Sequence, residues 1–263
     1  MTRSITSVFA TLIIIGLAMA SFTAPKGVLL RFHPQSGKTY VVNTKASQTT
    51  VAKIQGQSMS SSQTVDTRQS FNVESISGQD YTLSTKIEAV KLKASQMGMT
   101  LNYDSENPQN TSPLLADQTK DIEELINNPI SLKYNELGQP DNFEDIEMNQ
   151  LGLAIIELPE EELSVGSQWT LTKSQEVSDV KFSINMTYTV TGITKKEVNV
   201  SFTGTIDSNE ISGTYEGTST ISQKTGIVMS SSIKNNISMT ISEQGFTIPV
   251  TISGTNTVSV EEK

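Results

Sequence analysis

The chain of 263 residues contains no cysteine. That excludes thiol nucleophiles, thiolate metal sites and disulfides. Stability must therefore come from backbone pairing and packing, even in an oxidising compartment. The cysteine that would carry a lipid anchor is missing as well. There is one histidine, His33, and one tryptophan, Trp169. A Ser-His-Asp site would have to use His33, which stands beside Pro34 with no G-x-S-x-G anywhere in the chain. It reads as a surface or edge-strand histidine, and a zinc site has too few histidines to draw on. Basic residues number 19 against 28 acidic ones, a net charge of −9. Phosphate backbones and anionic bilayers both need clustered cations, so no nucleic-acid partner is expected.

Long hydrophobic runs are also scarce. Residues 8–20 (VFATLIIIGLAMA) carry no charge and follow Arg3. The run is short of the ~20 apolar residues of a membrane helix. Ala18-Met19-Ala20 ahead of Ser21 supplies the small-x-small pattern of a cleavage site. Residues 1–20 are expected to be a secretory signal peptide. The remainder is expected to be periplasmic or secreted, with no integral span after cleavage.

Carboxylates are plentiful but scattered. Asp117, Asp121, Glu123 and Glu124 share a helix-like stretch, and Glu160, Glu161 and Glu162 are consecutive. Glycoside hydrolysis needs two carboxyls facing one cleft, and no sugar-stacking aromatics accompany these. No D-x-[DN]-x-[DN]-G loop for calcium occurs. Both groups read as solvated faces. The expectation is a chain that is not an enzyme, with no cofactor and no metal.

What the sequence has in abundance is period-two alternation, the mark of strands with one buried face. Met97, Met99, Leu101 and Tyr103 alternate with polar residues. Phe182, Ile184, Met186, Tyr188 and Val190 do the same without a break. Ile227, Met229, Ile233, Ile237, Met239 and Ile241 hold one parity, and Phe246, Ile248, Val250 and Ile252 hold another. Strands of this length have to twist and curl. A first short strand is expected over 28–32.

Between residues 105 and 157 the character changes. Ser112 before Pro113 reads as a helix N-cap. Leu114, Leu115, Ile122, Leu125 and Ile126 recur at helical spacing up to Asn127-Asn128-Pro129. A short strand is expected over 130–134 and a second helix over 143–156. The seam at residues 158–169 (LPEEELSVGSQW) then restarts the β pattern. It echoes Ser36-Gly37-Lys38-Thr39-Tyr40. Gly37 and Tyr40 match Gly166 and Trp169. Phe71, Val73, Ile76, Tyr81 and Leu83 match Tyr188, Val190, Ile193, Val198 and Val200. The expected fold is mainly β: long curved antiparallel sheets in two half-barrel-like repeats, residues 21–104 and 158–263, with a helical linker over 105–157.

The signal peptide, Tyr103-Asp104-Ser105 after an alternating strand, the seam Leu158-Pro159 … Val165-Gly166-Ser167-Gln168-Trp169 and the Lys224-Thr225-Gly226 turn resemble a family of secreted bacterial proteins of unknown function. The resemblance implies a curved β-sheet with a helical insert, a layout similar to half-barrel carriers of lipids and lipoproteins in the envelope. It implies no reaction and no catalytic residue.

A one-face-apolar curved sheet must bury that face against protein or against a ligand. The expected ligand-contacting residues are Met97, Met99, Met186, Tyr188, Met229 and Met239, because methionine adapts to irregular apolar cavities. The expected partner is an apolar small molecule such as a lipid, or a lipidated protein. The alternatives are a structural or protein-interaction module of the envelope and, further off, a carboxylate-based hydrolase.

Overall fold

The computed structural model describes residues 27–96, 98–115, 119–141, 154–177, 180–208, 210–243 and 246–263. The signal-peptide expectation falls outside these residues. The strands are β1 Thr39–Ile54, β2 Gln57–Ser77, β3 Asp80–Gln96, β4 Met99–Asp104, β5 Ile130–Tyr134, β6 Gln168–Val177, β7 Val180–Ile193, β8 Glu197–Asp207, β9 Ile211–Ser222, β10 Val228–Glu243 and β11 Phe246–Glu262. The helix α1 spans Lys120–Asn127.

All eleven strands belong to one antiparallel sheet in the order β4-β3-β2-β1-β11-β10-β9-β8-β7-β6, with β5 also pairing β3. The two β-rich stretches meet where β1 pairs β11, from Tyr40 opposite Glu262 to Ala52 opposite Val250. The chain thus forms one continuous sheet that does not close. Tight turns make the long hairpins possible. Gln55 and Gly56, both at positive φ, join β1 to β2 with Ile54 directly opposite Gln57. A left-handed pair of residues is what the favoured two-residue hairpin turn requires.

Alternation becomes two unlike faces. The inner face carries the core, and at one end of the sheet it is covered by residues 27–36 and 154–166. Leu30, Phe32, Leu158 and Leu163 come from these coverings, and Tyr40, Val42, Phe71, Leu83, Val198, Val200, Ile221 and Val260 from the sheet. The 28–32 stretch is not the expected strand. Only Val28 pairs, with Leu163, while Leu30 and Phe32 are fully buried in the core. Two polar anchors fix the segment: Phe32 N–H donates to the Glu136 carbonyl at 2.7 Å, and His33 N–H to the Thr225 carbonyl at 2.8 Å.

Among the described residues, the first expected helix of the linker is shorter than its apolar spacing suggests. Pro113–Leu115 is a single 3-10 turn and α1 has eight residues. Ser112 does not cap a helix: its hydroxyl accepts the Asn102 N–H at 2.9 Å, and its own N–H donates to the Asn102 carbonyl at 2.7 Å. Edge strand β4 takes up a hydrogen-bonding group that a helix terminus would otherwise use. Leu115, Ile122, Leu125 and Ile126 pack on Ile87, Val90 and Tyr103 as a second, smaller core. Most of the expected helix over 143–156 lies outside the described residues. Its last three, 154–156, are irregular backbone, with Ala154 buried in the main core.

The two matched phrases have the same geometry. Gly37 and Gly166 both have positive φ, each two residues before a strand. Tyr40 stacks on Phe71, directly opposite, with centroids 5.0 Å apart. Trp169 stacks on Tyr188, also directly opposite, at 4.9 Å. Two residues further on, each partner strand has an irregularity, between Val73 and Ser75 in one and between Val190 and Gly192 in the other.

The outer face is polar and holds an ionic cluster. Glu106 accepts from Arg68 at 2.8 Å and from Lys91 at 3.0 Å. Hydrogen bonding to Lys91, then to Arg68, lowers its pKa below the ordinary carboxylate value. A carboxylate with a depressed folded-state pKa adds stability above its unfolded pKa and loses it as pH falls through the folded value. Glu106→Gln should therefore lower Tm at pH 7. The difference from the parent should vanish in acid, below the depressed pKa. A Tm gap that persists unchanged there would show that the pair is not what the substitution removes.

Candidate ligand-binding face

Register converts the inner face into rows that run across the strands. Nearest the covered end, one row reads Trp169, Tyr188, Phe202, Gly217, Ile233, Asn256, Ala46, Val65, Leu92 and Tyr103. The next contains Leu171, Met186, Gly204, Tyr215, Asn235, Gly254, Gln48 and Gln63. The row after that runs Ile184, Ile206, Gly213, Ile237 and Ile252 across β7 to β11. Ile211, Met239 and Val250 form the row beyond, and Ile241 lies opposite Ile248 towards the β10–β11 turn.

These last rows make an apolar field about 20 Å wide over five strands, at ~4.8 Å per strand. Ile206 and Val250 are buried, while Ile184, Ile211, Ile237, Met239, Ile248 and Ile252 are only half-buried. Ile241 is 44% exposed. No second layer of described residues covers this field as residues 27–36 and 154–166 cover the other end. The glycines keep it low. A Cβ on Gly217 would run into the Phe202 ring, one on Gly204 into Met186, and one on Gly213 would lie 3.1 Å from Ile237 Cγ1. Large side chains lie across strand glycines and fill the space that those glycines leave.

The expected ligand residues are distributed along this face and are not gathered at one point. Tyr188 is 7% exposed in the main core, and burial, then the charge of Glu157, pushes its hydroxyl up to about 12. Met186 and Met229 pack against the same core. Met239 lies in the apolar field, ten positions along β10 from Met229, which is roughly 33 Å of strand. Met99 is 58% exposed at the start of β4, and Met97 lies outside the described residues. The isoleucines of β7 to β11 supply most of the field. Their shared parity marks them in the sequence, but their common row depends on pairing between distant segments.

Two other features take ligand chemistry no further. A cavity of about 370 Å³ on the outer face is lined by Lys45, Asp66, Arg68, Lys91 and Glu106, among others. Each of its cations already pairs with a carboxylate: Lys45 with Asp66, Arg68 with Glu88 and Glu106, Lys91 with Asp104 and Glu106. His33 Nδ1 hydrogen-bonds the Tyr81 hydroxyl, and its ring meets the tyrosine edge-on. Among the described residues no three His, Asp or Glu side chains converge as metal ligands. No described helix is long and apolar enough to cross a membrane.

No protein-family model matches the chain, and no curated protein sequence matches it. Among solved structures it is similar to lipovitellin, described for its lipid–protein interactions, at 14% identity and a TM-score of 0.48. The match covers 87% of this chain, which spans 26% of the lipovitellin chain. An outer-membrane channel from Pseudomonas putida F1 is similar at 8% identity and a TM-score of 0.27, covering 88% of this chain and 98% of the channel.

Proposed function

We propose that this chain is a non-enzymatic binding protein of the cell envelope or its exterior, which holds an acyl chain against the inner face of its sheet. The observation that carries this reading is the apolar field of β7 to β11, whose side chains stay half-uncovered while the other end of the same face is sealed. Apolar surface left open to water forgoes ~25 cal/mol per Å², and contiguous patches of this kind mark sites of interaction. The acyl chain belongs to a free lipid or to a lipidated protein. The signal-like N-terminal run supports export. The matched stacks and turns around Tyr40 and Trp169 support an origin by duplication of a half-sheet unit, with residues 105–157 as the insert between the copies.

The test is titration with the uncharged fluorescent probe N-phenyl-1-naphthylamine. Ile237→Glu puts a charge into the middle of the field, and an ionised carboxylate there resists being covered. Binding should weaken at least ~10-fold, since removing ~1.4 kcal/mol is one decade in Kd. Ser238→Glu, on the outer face of the same strand, should change it less than ~2-fold. Equal effects of the two substitutions, or no saturable binding by the parent, would overturn the reading.

A further inference from the structure

The ligand's head group is also constrained by this face, and the inference rests on the acyl-chain reading. On β1, β2 and β7 to β11 the inner-face positions from Thr44 to Ala52, Met59 to Thr67, Phe182 to Tyr188, Phe202 to Ile206, Ile211 to Gly217, Ile233 to Ile241 and Ile248 to Val258 hold no Asp, Glu, Lys, Arg or His. The neighbouring charge at this level is Lys173 on β6, which is bonded to Glu157 at 2.6 Å. Every other charged group of these strands' middle sections lies on the outer face, including Lys45, Asp66, Arg68, Glu216 and Lys234.

What the inner face offers beside the isoleucines is a group of four carboxamides around Gly254. Gln48 lies directly opposite Gly254 on β1, and Gln63 opposite Gln48 on β2. Asn235 lies opposite Gly254 on β10, and Asn256 is two residues further along β11. Gly254 leaves room for this group, since a Cβ there would stand 2.8 Å from Asn235 Oδ1. Gln48 and Gln63 are exposed. Asn256 Oδ1 is buried and accepts no hydrogen bond. A buried acceptor without a donor is costly and calls for a partner.

We infer that the ligand is an uncharged amphiphile with a hydrogen-bonding head, such as a monoacylglycerol or a fatty amide. Its chain lies on the row Ile184, Ile206, Ile237 and Ile252, and its hydroxyl or amide donors reach Asn256, Asn235 and Gln48. A fatty-acid carboxylate or a phosphate would find one cation at this level, Lys173 opposite Ile184, and that ammonium is already paired with Glu157; the chain's net charge of −9 also opposes its approach.

The experiment is displacement of N-phenyl-1-naphthylamine at pH 8 by 1-monooleoylglycerol and by oleate, below their aggregation concentrations. Monooleoylglycerol should bind at least ~10-fold tighter than oleate. The pair N256L and Q48L should weaken monooleoylglycerol about 10-fold and leave the probe's own Kd within 2-fold, as expected for two lost hydrogen bonds. Oleate binding as tightly as monooleoylglycerol, or a double variant that binds monooleoylglycerol like the parent, overturns the head-group assignment while the acyl-chain reading stands. A parent that binds neither probe nor lipid overturns both.

Discussion

Trp169→Ala should cost ~3–5 kcal/mol of folding stability, the range for emptying a large aromatic site in a packed core. Trp169 is 9% exposed and lies flat against Tyr188, with the rings 4.9 Å apart and 11° from parallel. Its Nε1–H donates to the Glu157 carbonyl at 3.2 Å. The side chain therefore joins the start of β6, the neighbouring strand β7 and the covering segment at 154–166. Alanine leaves a cavity, removes the stack and leaves that carbonyl without its donor. Trp169→Phe keeps a ring over Tyr188 and loses mainly the hydrogen bond, and should cost only ~1–2 kcal/mol. Urea unfolding followed by far-UV circular dichroism measures both, because the substitutions remove the protein's one tryptophan fluorophore. Tyr40→Ala should fall in the same range as Trp169→Ala, since Tyr40 is fully buried and stacked on Phe71 in the corresponding place. Losses below ~1 kcal/mol for either alanine would mean that the stacks are not structural pins.

The strands were legible because each writes its burial in its own residues. Val198 to Ile206 and Ile233 to Met239 alternate, and burial follows that alternation. The close pairing of neighbours follows from turns such as Gln55-Gly56. The union of the two β-rich stretches was not legible, because the pairing of β1 with β11 joins residues 198 to 222 positions apart and period two says nothing about partners. Residues 27–36 misled for the opposite reason. Leu30 and Phe32 alternate like a strand, yet the N–H groups of Phe32 and His33 donate to Glu136 and Thr225, and the side chains of Leu30 and Phe32 plug the end of the sheet. Ser112 has the chemistry of a cap and spends it on Asn102. For the ligand-binding face, parity picked out which side chains point inward, but not which row each occupies. Methionine's softness does not decide that: Met229 rests on the core while Met239, on the same strand, lies in the open field. The inner-face glycines and carboxamides broke the apolar parity and so read as gaps. In the sheet they meet at neighbouring rows and give that face its polar end.

Gly226→Ala should destabilise by ~2–5 kcal/mol through two separable effects. Gly226 has φ +66 in the turn that leads into β10, and a non-glycine residue in the left-handed region costs ~1–2 kcal/mol. The added Cβ would also meet the Arg31 carbonyl oxygen and lie 2.9 Å from Phe32 Cα. These are backbone atoms and cannot turn aside as a side-chain end would. Relief requires residues 31–33 to lift, and with them Phe32 from the core and the His33-to-Thr225 hydrogen bond. Forced overpacking of this kind adds ~1–3 kcal/mol. Gly37→Ala separates the terms: Gly37 has φ +76, and beyond its immediate chain neighbours nothing lies within 4 Å of the site of its Cβ. It should lose only the backbone component. If urea unfolding gives equal losses for the two alanines, the close seat of residues 31–33 on this turn contributes nothing. If Gly226→Ala loses more by ~1 kcal/mol or above, the lead-in segment is held against the sheet by a backbone-to-backbone fit that no other residue type at position 226 permits.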